Sequence, residues 1–161
     1  MTDETLSAEL SHLYRRDITR LLQELRAFPD TATLWATAPG VSNAAGTLAL
    51  HLEGNLREYI GRQLGGIAYE RDRPREFSER GVARDELVTR LEAVLEMVPR
   101  VIAAIPDVRL AEPYPEAHHG AVLSTRMFLT HLLAHLGYHL GQIDYLRRVT
   151  TGAGAIPLAG L

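Results

Sequence analysis

The chain has 161 residues, of which 46% are hydrophobic and 23% charged, a composition typical of a globular protein with one sizeable core. A formal charge of −3 gives no basic surface for nucleic acid, and the lack of cysteine restricts any metal site to nitrogen or oxygen ligands. The N-terminal sequence lacks the order of a signal peptide, and no apolar run approaches the roughly 20 residues of a membrane span. We therefore expect a single domain over residues 1–161, in the cytoplasm, that binds neither nucleic acid nor membrane.

Apolar residues recur at three- and four-residue steps in four segments, which predicts four amphipathic helices. Pro29 is expected to end the first helix, and a structured loop containing Trp35 follows it. Ser42 or Asn43 is the expected N-cap of the second helix, and the glycine pair at 65–66 is its expected end. The predicted helices cover about residues 4–28, 43–64, 84–104 and 123–149.

The connecting segments differ in composition from the helices. Segment 69–81, YERDRPREFSERG, is strongly charged and is expected to stay outside the core. Segment 106–120 holds three prolines and is expected to form a long ordered loop, while the Gly/Pro-rich tail from 150 should be irregular. Because no strand-like alternation competes with the helical period, we predict an all-α four-helix bundle.

Three histidines lie four residues apart on the predicted fourth helix: His131, His135 and His139. A lone histidine on an apolar helix face is usually a packed core residue, but three on one face leave many polar nitrogens to satisfy. Three successive turns span about 12 Å, too far for one ion to reach all three rings. We therefore predict that His135 and His139 bind one metal ion together with His51, on the second helix, and that His131 is an outer or packing residue.

Two amides lie close to these histidines in sequence. Asn55 follows His51 by one helical turn and is a candidate for a supporting or inner-pocket contact. Gln142 follows His139 by three residues, so it is expected to hydrogen-bond within the bundle or to orient a histidine. A structural role for Gln142 is favoured over direct ligation.

Arginines concentrate in the charged segment 69–81. The simpler interpretation is a solvated loop whose arginines pair with neighbouring carboxylates, and for Arg75 we favour it. The functional alternative is that Arg71 or Arg73 binds a carboxylate of a thiol cofactor or substrate near the metal. Neither residue is assigned a catalytic role by the sequence.

The arrangement of His51 with His135-LGY-His139-L-Gly-Gln resembles the DinB-like superfamily. A loop with Trp35 and Pro39 ahead of the second helix is similar to that family's Trp/Pro loop, and GNLREYI at 54–60 resembles a branch of small DinB-like proteins without an assigned activity. The resemblance implies an up-down-down-up bundle, a divalent metal held by three histidines, and frequently a homodimer. Relatives include thiol-dependent S-transferases and a mycothiol-dependent maleylpyruvate isomerase.

Two functions follow as hypotheses. The first is a metal-dependent enzyme, either a hydrolase or an S-transferase that joins a low-molecular-weight thiol to a small electrophile, since three neutral histidines leave coordination positions open. The expected ion is zinc or nickel, with iron or manganese as alternatives, because imidazole ligands do not select one metal. The alternative is a non-catalytic, dimeric, stress-linked metal-binding protein, in which His131 or a carboxylate closes the site.

Overall fold

The structure is a computed structural model, and it describes residues 5–160. Four long helices form a bundle, and three short helices lie in the connections between them. In chain order the helices are α1 (Leu6–Arg26), α2 (Thr31–Leu34), α3 (Ala45–Leu56), α4 (Arg73–Ser78), α5 (Arg84–Ala103), α6 (Asp107–Leu110) and α7 (Thr125–Thr151). A π-helical segment, Arg57–Arg62, continues α3.

The long helices form a ring in which α1 and α3 each pack against both α5 and α7. Their apolar faces meet in one cluster, where Leu21, Leu52, Leu91 and Leu136 are fully buried. Within residues 5–160 there is no strand, only two isolated bridges in the 113–124 segment. The predicted all-α fold is therefore confirmed, while the up-down-down-up order remains a prediction.

The predicted bounds of the first, third and fourth long helices agree closely with α1, α5 and α7. The predicted start of the first helix, at Glu4, lies outside the described residues. The predicted N-cap of the second helix is wrong, because α3 is capped at Ala44 without a side-chain hydrogen bond. Its first turn is covered instead by the Trp35 ring, which lies so close to Gly46 that a Cβ there would overlap it. Trp35 Nε1 donates to the Val82 carbonyl, which holds the ring in place.

The prediction that the charged segment 69–81 lies outside the core is wrong for one part of the segment. It contains α4, whose N-terminus is capped by the Asp72 carboxylate accepting from the Arg75 N–H. Most of its side chains are exposed, but Glu76 is only 7% exposed. Glu76 can be buried because His51 and Arg71 pair with its carboxylate inside the protein, and this pairing offsets the cost of removing the carboxylate from water.

A buried ion pair joins α1 to α7. Arg147 is 1% exposed and Glu24 is fully buried, and Arg147 Nε donates to Glu24 Oε2. The same guanidinium donates to the Gly154 carbonyl in the tail and to the Asp144 carboxylate. Arg147 on α7 thus binds both α1 and the C-terminal segment.

The segment 152–160 is irregular, but the predicted start of the irregular tail at 150 is two residues too early, because Thr150 and Thr151 belong to α7. It lies against α1, where Arg20 Nε donates to the Ala159 carbonyl and the Ala159 N–H donates to Gln23 Oε1. Gly152 ends α7 with a φ of 70°, a left-handed conformation that suits glycine. Within the described residues, every helix is too short or too polar to cross a bilayer.

Candidate metal centre

The bundle brings His51 on α3 together with His135 and His139 on α7. The Nε2 atom of His135 lies 3.2 Å from that of His51 and 3.1 Å from that of His139. One ring nitrogen from each residue falls within 4.8 Å of the others. The two helices therefore aim three imidazole nitrogens at one point, as the spacing on α7 and the apolar position of His51 led us to expect.

Hydrogen bonds from the far side of two rings determine which nitrogen carries the proton. His51 Nδ1 donates to Glu76 Oε2 at 3.0 Å, and His139 Nδ1 donates to Gln142 Oε1 at 2.6 Å. A carboxylate and an amide oxygen only accept, so both protons lie on Nδ1. The Nε2 lone pairs of His51 and His139 consequently face the centre of the cluster.

The ring of His135 cannot donate a hydrogen bond to both of these Nε2 lone pairs. Its Nδ1 is buried without a hydrogen-bond partner among the described residues. If its proton is on Nε2, it reaches only one of the two facing lone pairs, and if the proton is on Nδ1, three lone pairs converge without a donor. A divalent cation satisfies all three, so the donor set fits a metal ion held by nitrogen ligands.

Two comparisons with known proteins give a match. The family model described as mycothiol-S-transferase matches residues 9–152. This chain belongs to the mycothiol-S-transferase family. Comparison with curated proteins gives no match. Among solved structures, a DinB-like protein from Bacillus cereus ATCC 10987 is similar, with a TM-score of 0.69 and 16% identity over 94% of this chain and 95% of that one. That likeness shows the fold, and with the family match it confirms the DinB-like assignment.

In this mycothiol-S-transferase family member, burial disfavours the charged form of the two clustered histidines on α7. Burial, aided by the neighbouring rings of His139 and His51, lowers the pKa of His135 to about 4. Burial also lowers the pKa of His139, although its hydrogen bond to Gln142 opposes the shift. A neutral imidazole has a free lone pair, so both α7 rings are ready to bind a cation at neutral pH.

The predicted supporting residues have different surroundings. Gln142 contacts His139, as proposed for a residue that orients a histidine. Asn55 is buried, but its Oδ1 has no partner among the described residues. His131 is exposed and lies outside the cluster, where its ring is 5.0 Å from that of His118. The structure therefore places Gln142 at the site and His131 away from it.

The two candidate arginines also differ. Arg71 donates to both carboxylate oxygens of Glu76, at 2.6 and 2.9 Å, so it binds a carboxylate of this chain. Arg73 is exposed, with its guanidinium 5.3 Å from the centre of the Phe77 ring. Arg75 pairs with Glu79 on the surface, in line with the simpler interpretation of the charged segment. Sequence reasoning missed Glu76 as part of the site, because nothing in a run of charged residues marks one as buried.

Two clefts lie beside residues that support the cluster, and the three histidines line neither of them. An apolar cleft of about 400 Å³ lies between the loop 38–43 and α7. Its lining includes Leu48, one turn before His51, and Gln142, one turn after His139. A polar cleft of about 440 Å³ lies beside Arg71 and includes Tyr59, Arg62, Tyr69 and Glu116. One apolar cavity thus adjoins Gln142 and one polar cavity adjoins Arg71, each of a size that takes a small molecule.

The lowered pKa of His135 predicts a pH dependence of stability in metal-free protein. A histidine whose folded pKa lies below its unfolded value stabilises the fold above pH 6.5, and that stability is lost as the pH falls toward about 4. We expect a loss on the order of 2–3 kcal/mol in the free energy of unfolding. Denaturant titrations at several pH values on metal-free wild type and His135→Leu isolate this contribution. Equal pH profiles for the two proteins would contradict the expectation.

Proposed function

We propose that this chain is a divalent-metal-dependent S-transferase that joins a small thiol to an electrophilic small molecule. The observation that carries the proposal is the convergence of three imidazole nitrogens at one point. The family match supports a thiol substrate, and mycothiol is the first one to test. A bound divalent ion would act as a Lewis acid that lowers the pKa of a thiol, which makes thiolate available at neutral pH.

The residues of the chain have separate tasks in this proposal. His51, His135 and His139 hold the ion, while Glu76 and Gln142 hold two of the rings. The sulfur of the thiol forms a bond to an electrophilic carbon, the thiol proton passes to solvent, and the leaving group departs with its electron pair. The polar cleft beside Arg71 suits the thiol, and the apolar cleft beside Gln142 suits the electrophile.

The number of protein ligands favours an enzyme over a structural metal site. Among residues 5–160, the cluster contains three histidines and no fourth metal-binding side chain. His131, which would close the site in the non-catalytic hypothesis, is exposed and packs near His118. Three protein ligands leave a position for substrate, which is the arrangement of catalytic zinc sites. Zinc or nickel, a homodimer and a cytoplasmic location belong to the proposal as well.

Product formation provides the direct test. Metal-loaded protein is mixed with mycothiol and a chloroacetamide electrophile, and the thioether is measured by mass spectrometry. We expect formation well above the uncatalysed rate, its loss after chelation, and its return when zinc or nickel is restored. Protein with one bound ion per chain that gives no acceleration with mycothiol, glutathione or cysteine would overturn the transferase assignment.

A further inference from the structure

One carboxylate, that of Glu76, joins the charged segment to the histidine cluster. It is buried, and its Oε2 accepts from His51 Nδ1 at 3.0 Å. On its other side it accepts two hydrogen bonds from Arg71, which is itself only 10% exposed at its side chain. Glu76 therefore lies between a cation and the ring that points toward the metal centre.

The surface of α3 has a gap where this carboxylate lies. Gly54 follows His51 by three residues, so both lie on the same side of the helix. A Cβ built at Gly54 would overlap Glu76 Oε1 and crowd its carboxyl carbon. The lack of a side chain at Gly54 leaves the space in which the carboxylate rests directly on the helix and reaches the His51 ring from behind.

A second contact from α4 supports the same ring. The Phe77 ring lies 4.9 Å from that of His51, measured between centroids, so neighbouring residues of α4 give His51 both a hydrogen bond and an apolar wall. Arg71 holds the Glu76 carboxylate in an ion pair, so His51 donates to a charged acceptor, which forms a stronger hydrogen bond than a neutral one.

We propose that Glu76 is the positioning residue of the metal centre: it acts through His51, fixing the ring's orientation and keeping its proton on Nδ1, and Gly54 provides the space it occupies. The proposal rests on the proposed role of His51 as a ligand. A carboxylate behind a metal-binding imidazole makes the ring a stronger ligand, whereas Gln142 gives His139 only a neutral partner. Of these two rings, His51 is therefore the one whose metal binding depends more on its hydrogen-bond partner.

The test compares metal affinity in Glu76→Ala, Glu76→Gln and Gly54→Ala with wild type. Zinc dissociation constants are measured by competition with a chelator, and the visible absorption of bound Co²⁺ reports the ligand arrangement. We expect Glu76→Ala and Gly54→Ala to weaken zinc binding about 10- to 100-fold and to change the Co²⁺ spectrum. Glu76→Gln keeps an acceptor for Nδ1, so its loss of affinity should be smaller.

Two controls separate positioning from general damage. Glu79→Ala removes a carboxylate of the same segment that pairs with Arg75 at the surface, and Gly137→Ala adds a Cβ on α7 where nothing lies within 4 Å. Both should leave zinc affinity within about twofold of wild type. Circular dichroism and thermal unfolding of the metal-free proteins show which variants keep the fold, and Glu76→Gln remains informative if Glu76→Ala does not.

Nitrogen NMR of the metal-free protein gives a readout that needs neither ion nor activity. Long-range ¹H–¹⁵N spectra should show His51 protonated at Nδ1 in wild type, and loss of that preference in folded Glu76→Ala. The proposal is overturned if wild type carries the proton on Nε2, or if folded Glu76→Ala keeps wild-type zinc affinity and an unchanged Co²⁺ spectrum. A wild type that binds zinc but transfers no thiol overturns the proposed function alone.

Discussion

Replacing His135 with alanine is expected to remove the bound divalent ion and to abolish thiol transfer. His135 is the central member of the cluster, since its Nε2 lies within 3.2 Å of both other Nε2 atoms. Without it, His51 and His139 remain as two ligands on two neighbouring helices, which are too few to hold an ion against dilution or a chelator. Wild type should contain about one ion per chain and the variant close to none, as measured by mass spectrometry on protein purified without a nickel column.

His131→Ala is the matched control for this experiment. It removes an imidazole from the same helix, one turn earlier, where the side chain is exposed and outside the cluster. Metal content and thioether formation should stay at wild-type levels. Retention of a full complement of ion in His135→Ala, or its loss in His131→Ala, would show that the ligand assignment is wrong.

Replacing Arg147 with methionine is expected to destabilise the protein by about 3–5 kcal/mol, because it leaves the Glu24 carboxylate buried without its cation. Both side chains are almost completely buried, and burial raises the pKa of Glu24 even with Arg147 beside it. The loss is a large share of the roughly 5–15 kcal/mol that typically stabilises a domain. The free energy of unfolding is measured by denaturant titration of metal-free protein.

A double variant and a surface control test whether the unpaired charge of Glu24 causes this loss of stability. Glu24→Leu combined with Arg147→Met removes both charges and should recover most of the lost stability, since two apolar side chains of similar volume can replace a buried pair. Arg26→Met breaks the pair with Glu92, whose side chains are about half exposed, and should cost less than about 1 kcal/mol. A loss below 1 kcal/mol in Arg147→Met would contradict the expectation.

The sequence was sufficient to predict the features that depend on periodicity. The apolar repeats located all four long helices, and a four-residue spacing on one helix identified His135 and His139 as a pair. His51 was found by the same logic, since a polar side chain at an apolar position needs a partner across the bundle. The fold and the grouping of the three histidines can therefore be predicted from the sequence, while their role as metal ligands stays a prediction.

Features that depend on the path of a loop could not be predicted from the sequence. Glu76 belongs to a run of charged residues, and only the close approach of α4 to Gly54 distinguishes it from Glu79, three residues later. The N-cap of α3 was missed for a similar reason, because the start of that helix is covered by the Trp35 ring and carries no capping side chain. Both depend on contacts between segments far apart in sequence, which local patterns do not encode.

The separation of the clustered histidines has a consequence for synthesis on the ribosome. His51 and His135 are 84 positions apart, and Arg147 meets Glu24 across 123 positions. A nascent chain that has not yet released α7 lacks two of the three imidazoles and the cation that Glu24 needs. In the proposed metal centre, an ion can therefore be captured only after translation of the last helix, so the two ends of the chain dock and the three histidines come together in the same late stage of folding.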